Sequence, residues 1–215
     1  MTNPLRFITF EGTEASGKST QSHLLKKRLE DLGHTVILCR EPGGTALGEQ
    51  IRHLLKHSRE GIGMCPETEL LLFAASRAQL IHETIIPALK KNHWVICDRF
   101  ADSSIVYQGI GRSLPLATVD TINQFATQNL VPTLTFLLDI SLKEAQARLH
   151  LRTHSEANQF DRMEDQSSRF FEQIISGYRQ LAQAHPQRIK IIPASPPPPI
   201  VAENIWQHVS HAFSL

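Results

Sequence analysis

Short apolar runs rich in β-branched and aromatic residues alternate along the chain with longer stretches whose apolar positions recur at helical spacing. Runs of the first kind cover Phe7–Glu11, Thr35–Arg40, His93–Asp98, Thr133–Asp139 and Arg188–Pro193. They carry the Val, Ile and Phe expected of strands buried on both faces. Between the first two, Lys18–Leu32 places Leu24, Leu25, Leu29 and Leu32 on a helical repeat and stops at Gly33. Thr68–Lys91 is a long helical run containing Pro87, which should kink or end it. This alternation predicts an α/β fold with a five-stranded parallel sheet flanked by helices.

A chain of 215 residues suits one substantial core, and no repeat or linker divides it, so residues 1–215 read as a single domain. The stretch RTHSEANQF, 152–160, is polar and aperiodic and reads as a mobile loop; the prolines at 196–199 read as a stiff connector before a terminal helix. Lys and Arg total 22 against 21 Asp and Glu, which leaves no global basic field for nucleic acid. No run approaches the ~20 apolar residues that span a bilayer, and the first residues lack a leader pattern. Cys39, Cys65 and Cys97 form no CxxC pair. A soluble protein of a reducing cytoplasm is expected.

One motif changes the picture. GTEASGKS, comprising Gly12, Thr13, Glu14, Ala15, Ser16, Gly17, Lys18 and Ser19, fits GxxxxGK[ST] and falls between a predicted strand and a predicted helix. In that context backbone N–H groups and the helix N-terminus make an anion site, Lys18 reaches the outer phosphates of a nucleotide such as ATP, and Ser19 can ligate Mg²⁺. Glu14 is an odd residue to find in a loop built for phosphate. The motif also leaves the phosphoryl acceptor open, since GTPases, ATPases and small-molecule kinases share it.

Asp98 ends a predicted strand and Arg99 follows, which puts both at the carboxyl edge of the sheet, where open α/β folds bind ligands. The carboxylate suits Mg²⁺ held directly or through water, and the guanidinium suits an acceptor phosphate; an ion pair at a strand end is the plain alternative. Arg40 also ends a strand and is either a second phosphate clamp or a solvated charge.

Four further motifs, REPGGT (40–45), FAASRAQ (73–79), DRFADSSIVYQGIGR (98–112) and FDRMED (160–165), together with the phosphate loop, resemble thymidylate kinases of the bacterial kind over nearly the whole chain. That resemblance implies a nucleoside monophosphate kinase fold with a short lid near 148–162, Mg²⁺-dependent transfer from ATP to dTMP, and a homodimer. It implies that Phe73 stacks on thymine and Arg77 hydrogen-bonds it, that Ser104, Tyr107 and Gln108 line sugar and base, and that Glu14 meets the 3′-hydroxyl. Arg148 and Arg152 match lid arginines, which this chain needs because Ala15 and Ser16 stand where other members put a basic residue. Arg162 would anchor the lid, and Asp161 would cap the next helix. Ser76 stands where aspartate commonly precedes the base-reading arginine and removes a possible buttress for it; Val106 replaces a common alanine. The pairs His53/His57 and His150/His154 have helical metal spacing but no accompanying glutamate motif, and read as solvated faces. Cys39 and Cys97 read as buried thiols.

Overall fold

The computed structural model describes residues 4–153, 161–163 and 166–215, without the side chains of Arg152 and Thr153. Its centre is a parallel five-stranded sheet in the order β2-β3-β1-β4-β5. The strands are β1 Phe7–Glu11, β2 Val36–Arg40, β3 Trp94–Asp98, β4 Leu134–Asp139 and β5 Ile189–Pro193. Each lies within one residue of the run that predicts it. The middle strands are almost wholly buried and the edge strands β2 and β5 are not, which is why the central runs are the more purely apolar.

Side-chain alternation sorts the strands between two layers. Trp94 and Ile96 of β3 join Ile8, Phe10, Phe136 and Leu138 on one face, covered by α1 (Lys18–Asp31) and α9 (Pro198–Phe213) through Leu25, Leu29, Val201, Ile205 and Val209. Val95 and Cys97 point the other way, with Phe7, to Leu80, Ile81 and Ile85. Leu137 and Ile189 meet Ile174 and Tyr178 of α8 (Ser168–Ala184) on that same opposite side. Cys39 and Cys97 are register partners in β2 and β3, and both are buried.

Of the two outcomes open at Pro87 the structure excludes an end, and the connector reading of 196–199 is corrected in part. The helix through Pro87 does not stop there: α3 (Pro66–Leu80) runs into a π-helical turn at Ile81–Ile85 and on into α4 (Ile86–Lys90). The wider turn sits just where a proline lacks its N–H, and Pro87 falls in the first turn of α4, where that donor is not needed. The four prolines are only half a connector, because Pro198 and Pro199 open α9. Their fixed φ suits a first helical turn. Among the described residues no helix is long and apolar enough to cross a membrane.

The remaining helices are α2 (Ala46–Lys56), α5 (Ala101–Ser104), which continues as a π-helical segment Ile105–Gly111, α6 (Leu116–Thr127) and α7 (Leu142–Thr153). Because the strands run parallel, the loops following β1, β2 and β3 gather at one carboxyl edge.

Candidate active site

The phosphate loop leaves β1 at Gly12, whose φ is 137° and whose added Cβ would sit 2.6 Å from the Leu138 carbonyl oxygen, so glycine is required at this crossing of β4. Gly17, at φ 96°, opens α1. Lys18 is buried and folds over the loop, its Nζ donating to the carbonyls of Thr13 at 2.7 Å and Gly12 at 3.2 Å. Burial, reinforced by the charge of Arg99, pulls its pKa down to about 8. Ser19 Oγ donates to Asp98 Oδ2 at 2.6 Å, which ties the start of α1 to the end of β3.

Arg99 takes φ 70°, a left-handed conformation costly for a residue with a side chain and characteristic of functional positions. Its guanidinium donates to Glu14 Oε1 at 2.7 Å and to the hydroxyls of Tyr178 at 3.1 Å and of Ser103 and Tyr107 at 3.3 Å. The Tyr107 hydroxyl donates in turn to Glu14 Oε2 at 2.9 Å. Burial pushes the Glu14 carboxyl up, but Arg99 and Lys18 outweigh it and hold the group below the usual carboxylate range.

Three cavities join around this cluster. One, of about 550 Å³, lies over the phosphate loop and is lined by Lys18, Ser19, Arg40, Arg52, Asp98 and Arg148, among others. A second, of about 470 Å³, runs from Ala15, Gly17 and Thr20 to the wall formed by Ala194 and Pro196–Pro198. The third is bounded by Phe73, Ser104, Tyr107, Gln108 and Met163. Glu14, Glu41, Lys56 and Arg99 belong to both the first and the third. The result is one trough with a cationic middle.

Measured against known proteins, residues 10–205 match the family model described as "Thymidylate kinase". The chain belongs to the thymidylate kinase family. A thymidylate kinase of Kosmotoga olearia is 43% identical over 209 residues, which is 97% of this chain and 95% of that one. One of Pelobacter propionicus is 45% identical, covering 88% of this chain and 86% of its own. The crystal structure of thymidylate kinase from Ehrlichia chaffeensis superposes with a TM-score of 0.74 at 32% identity, over 94% of this chain and 97% of that one.

Against what thymidylate kinases lead one to expect, Phe73, Ser104, Tyr107 and Gln108 do share one cavity, and Glu14 and Arg99 stand at its junction with the phosphate loop. Arg77 is placed differently. It is 1% exposed and lies behind that wall, with Nε donating to Glu41 Oε2 at 2.7 Å, Nη1 to Asn123 Oδ1 at 2.7 Å, and Nη2 to Ser104 Oγ at 3.1 Å. The buttress for Arg77 that Ser76 cannot provide is therefore Glu41. Ser76 Oγ instead accepts from the Gly43 N–H at 3.0 Å. Val106 is buried in the cluster that also holds Tyr107, Phe170 and Ile174. Arg40 is about half exposed and paired with Glu49 at 2.9 Å, on the rim of the large cavity.

At the lid, Arg148 donates to the Ala194 carbonyl at 2.8 Å and reaches Ala15 at 3.5 Å, which puts it between both donor-side cavities. The side chain of Arg152, together with residues 154–160 of the 148–162 lid segment, His154 among them, lies outside the described residues. Arg162 pairs with Glu69 at 2.7 Å and donates to the Leu55 carbonyl at 2.9 Å. Asp161 does not cap α8; Ser167 does, and Asp161 instead accepts from the Met163 N–H and pairs with Lys56 at 2.7 Å. A serine one residue before the helix outcompetes a carboxylate six residues too early.

Several site residues escaped the sequence: Glu41, Arg52, Lys56, Glu69, Ser103, Met163 and Tyr178. A signal existed for two of them. Arg52 and Lys56 stand four apart, so one face of α2 carries both cations, beside the His53/His57 pair that shows the same spacing. Those two imidazoles stack loosely, with ring centroids 6.3 Å apart. Among the described residues no three His, Cys, Asp or Glu gather as a metal site.

Proposed function

We infer that this protein transfers the γ-phosphoryl group of ATP to dTMP, giving dTDP and ADP for dTTP synthesis, along the trough described above. The observation that carries the assignment of sites is that Glu14, Glu41, Lys56 and Arg99 line both the phosphate-loop cavity and the cavity of Phe73 and Gln108. Donor and acceptor pockets therefore open onto each other, as direct in-line transfer requires.

The loop from Gly12 to Ser19 binds the donor phosphates, with Lys18 against the outermost. Phe73 stacks on the thymine ring, Gln108 pairs with its edge, and the phenol of Tyr107 crowds the position of a ribose 2′-hydroxyl. Glu14 accepts from the 3′-hydroxyl, and Arg77 acts from behind, ordering Ser104 and Glu41. An oxygen of the dTMP phosphate attacks the γ-phosphorus while the bond to the β,γ-bridging oxygen breaks and its electron pair leaves with ADP. A phosphate monoester is already nucleophilic near neutral pH, so no strong base is needed. Arg99, Arg148 and Arg152, with Lys18, offset the charge of the transition state, and Arg40 and Lys56 hold the acceptor phosphate side.

Ser19 and Asp98 present a hydroxyl and a carboxylate oxygen 2.6 Å apart at the loop end, a hard oxygen donor set that fits Mg²⁺, held directly or through water. When bound there, Mg²⁺ neutralises charge on the phosphates. Exposed Leu47, Leu71 and Phe125 on α2, α3 and α6 offer apolar surface for the homodimer that the resemblance implies. The work takes place in the cytoplasm.

The test is a panel of nucleoside monophosphates incubated with ATP and Mg²⁺ while ADP release is followed. Preference for dTMP is expected; dCMP or dGMP turned over as well as dTMP would refute the assignment.

A further inference from the structure

Glu69 is a buried carboxylate that no motif singles out and the transfer chemistry does not use. It stands on α3 four residues before Phe73, so the two share a helix face. Among the described residues four bonds converge on it. Gln108 Nε2 donates to its Oε1 at 2.8 Å, Arg112 reaches one oxygen with Nε and the other with Nη2, both at 3.3 Å, and Arg162 pairs with Oε2 at 2.7 Å. Every partner is a donor. Burial alone would raise the Glu69 carboxyl, but the Gln108 hydrogen bond and the two guanidinium charges outweigh it and hold the group below the usual carboxylate range.

An ionised carboxylate accepts and cannot donate. Facing it, the Gln108 amide has to turn its NH₂ toward Glu69, so the order of nitrogen and oxygen along the amide is settled by chemistry rather than by the density of its surroundings. What remains for the cavity is one N–H and one carbonyl oxygen, in fixed sequence. The two pyrimidine edges differ in this order: thymine and uracil carry an N3–H donor beside an O4 acceptor, and cytosine carries an N3 acceptor beside an N4 amino donor. An amide free to rotate by half a turn could satisfy either. An amide held one way satisfies one of them.

We propose that Glu69 is a specificity-determining positioning residue, which fixes the sense of the Gln108 amide so that the acceptor pocket takes a 4-oxo pyrimidine nucleotide and refuses a 4-amino one. The proposal rests on the reading of Gln108 as the base-edge contact. Glu69 itself touches no substrate. Its connection to Arg162 also ties the base pocket to the segment that anchors the lid.

The test uses dUMP and dCMP, which both lack the 5-methyl group and differ only in the edge, with dTMP as a control for the methyl group. Rates of ADP release give kcat/KM for each in the wild type, E69Q, E69D and Q108L. E69Q keeps the reach but can face Gln108 either way round; E69D keeps the charge that Arg112 and Arg162 require but draws back from Nε2. In each, the dUMP-to-dCMP ratio of kcat/KM should fall about tenfold or more, because a polar edge rather than shape sets it. The dTMP-to-dUMP ratio, set by the methyl pocket, should stay within about twofold, whereas a generally loosened pocket would lower both. Circular dichroism melting identifies the folded variants. An unchanged dUMP-to-dCMP ratio in a folded E69Q or E69D, with the ratio lost in Q108L, overturns the role of Glu69 alone. An unchanged ratio in Q108L overturns the reading of Gln108, and this proposal with it.

Discussion

Replacing Arg77 with Met is expected to make stability strongly pH-dependent, and the structure says in which direction. Arg77 and Glu41 form an ion pair at 2.7 Å with side chains 1% and 3% exposed. The second Glu41 oxygen, Oε1, is buried without a partner among the described residues. Burial therefore raises the Glu41 carboxyl even with Arg77 beside it, and Arg77 is the charge that pulls it down. Methionine fills similar volume but leaves that carboxylate uncompensated. Removing one partner of a buried pair costs about 3–5 kcal/mol. The cost falls on the charged form, so the native state of R77M keeps its proton to higher pH than the wild type does. Between the unfolded pKa, near 4.5, and the raised native one, the folded chain binds more protons than the unfolded chain, so stability falls as pH rises. The slope can reach about 1.4 kcal/mol per pH unit.

Urea unfolding of wild type and R77M at pH 5 and pH 8 measures this. The loss should be near the upper figure at pH 8 and clearly smaller at pH 5; what persists at pH 5 is the bonds to Asn123, Ser104 and the Phe100 carbonyl, about 1 kcal/mol each. The double variant E41M/R77M should recover stability at pH 8, since replacing both partners removes the buried charge. Equal losses at the two pH values, or a double variant no better than R77M, would refute the reasoning.

Two further predictions concern the donor side. Lys18 must be charged to hold phosphate, and with its pKa near 8 in the free protein, kcat/KM for ATP should fall as pH rises through about 8, while a profile flat to pH 9.5 would contradict its assigned state. Arg148→Ala removes the guanidinium standing between the two donor-side cavities and should lower the saturating rate by at least about tenfold, judged by steady-state turnover with both substrates in excess.

The sequence is most legible where physics is local. The five strands are plain because Phe7, Ile96 and Phe136 sit in runs that only a sheet buried on both faces explains, and the phosphate loop is plain because backbone chemistry fixes its glycines and Lys18. Pro87 left two outcomes open and the prolines at 196–199 mislead in part, because a helix tolerates proline in its first turn and composition does not say where that turn begins. The acceptor side is harder to see. Phe73 and Gln108 were legible only through resemblance, and the carboxylates that hold the pocket were not legible at all. Glu41 meets Arg77 across 36 residues of chain, Arg112 meets Glu69 across 43, and Tyr178 donates to Glu11 across 167. No spacing rule spans such distances; the sheet order and the packing of α3 and α8 bring these groups together.

The acidic residue in the phosphate loop tests the central claim, that donor and acceptor sites meet at Glu14 and Arg99. Calorimetric titration of E14Q with dTMP and with ATP separates the two sites. Losing a charge-assisted hydrogen bond, about 1.5–3 kcal/mol, should weaken dTMP binding by about tenfold to a hundredfold and leave ATP binding within about twofold. ATP binding weakened more than dTMP binding would contradict the account.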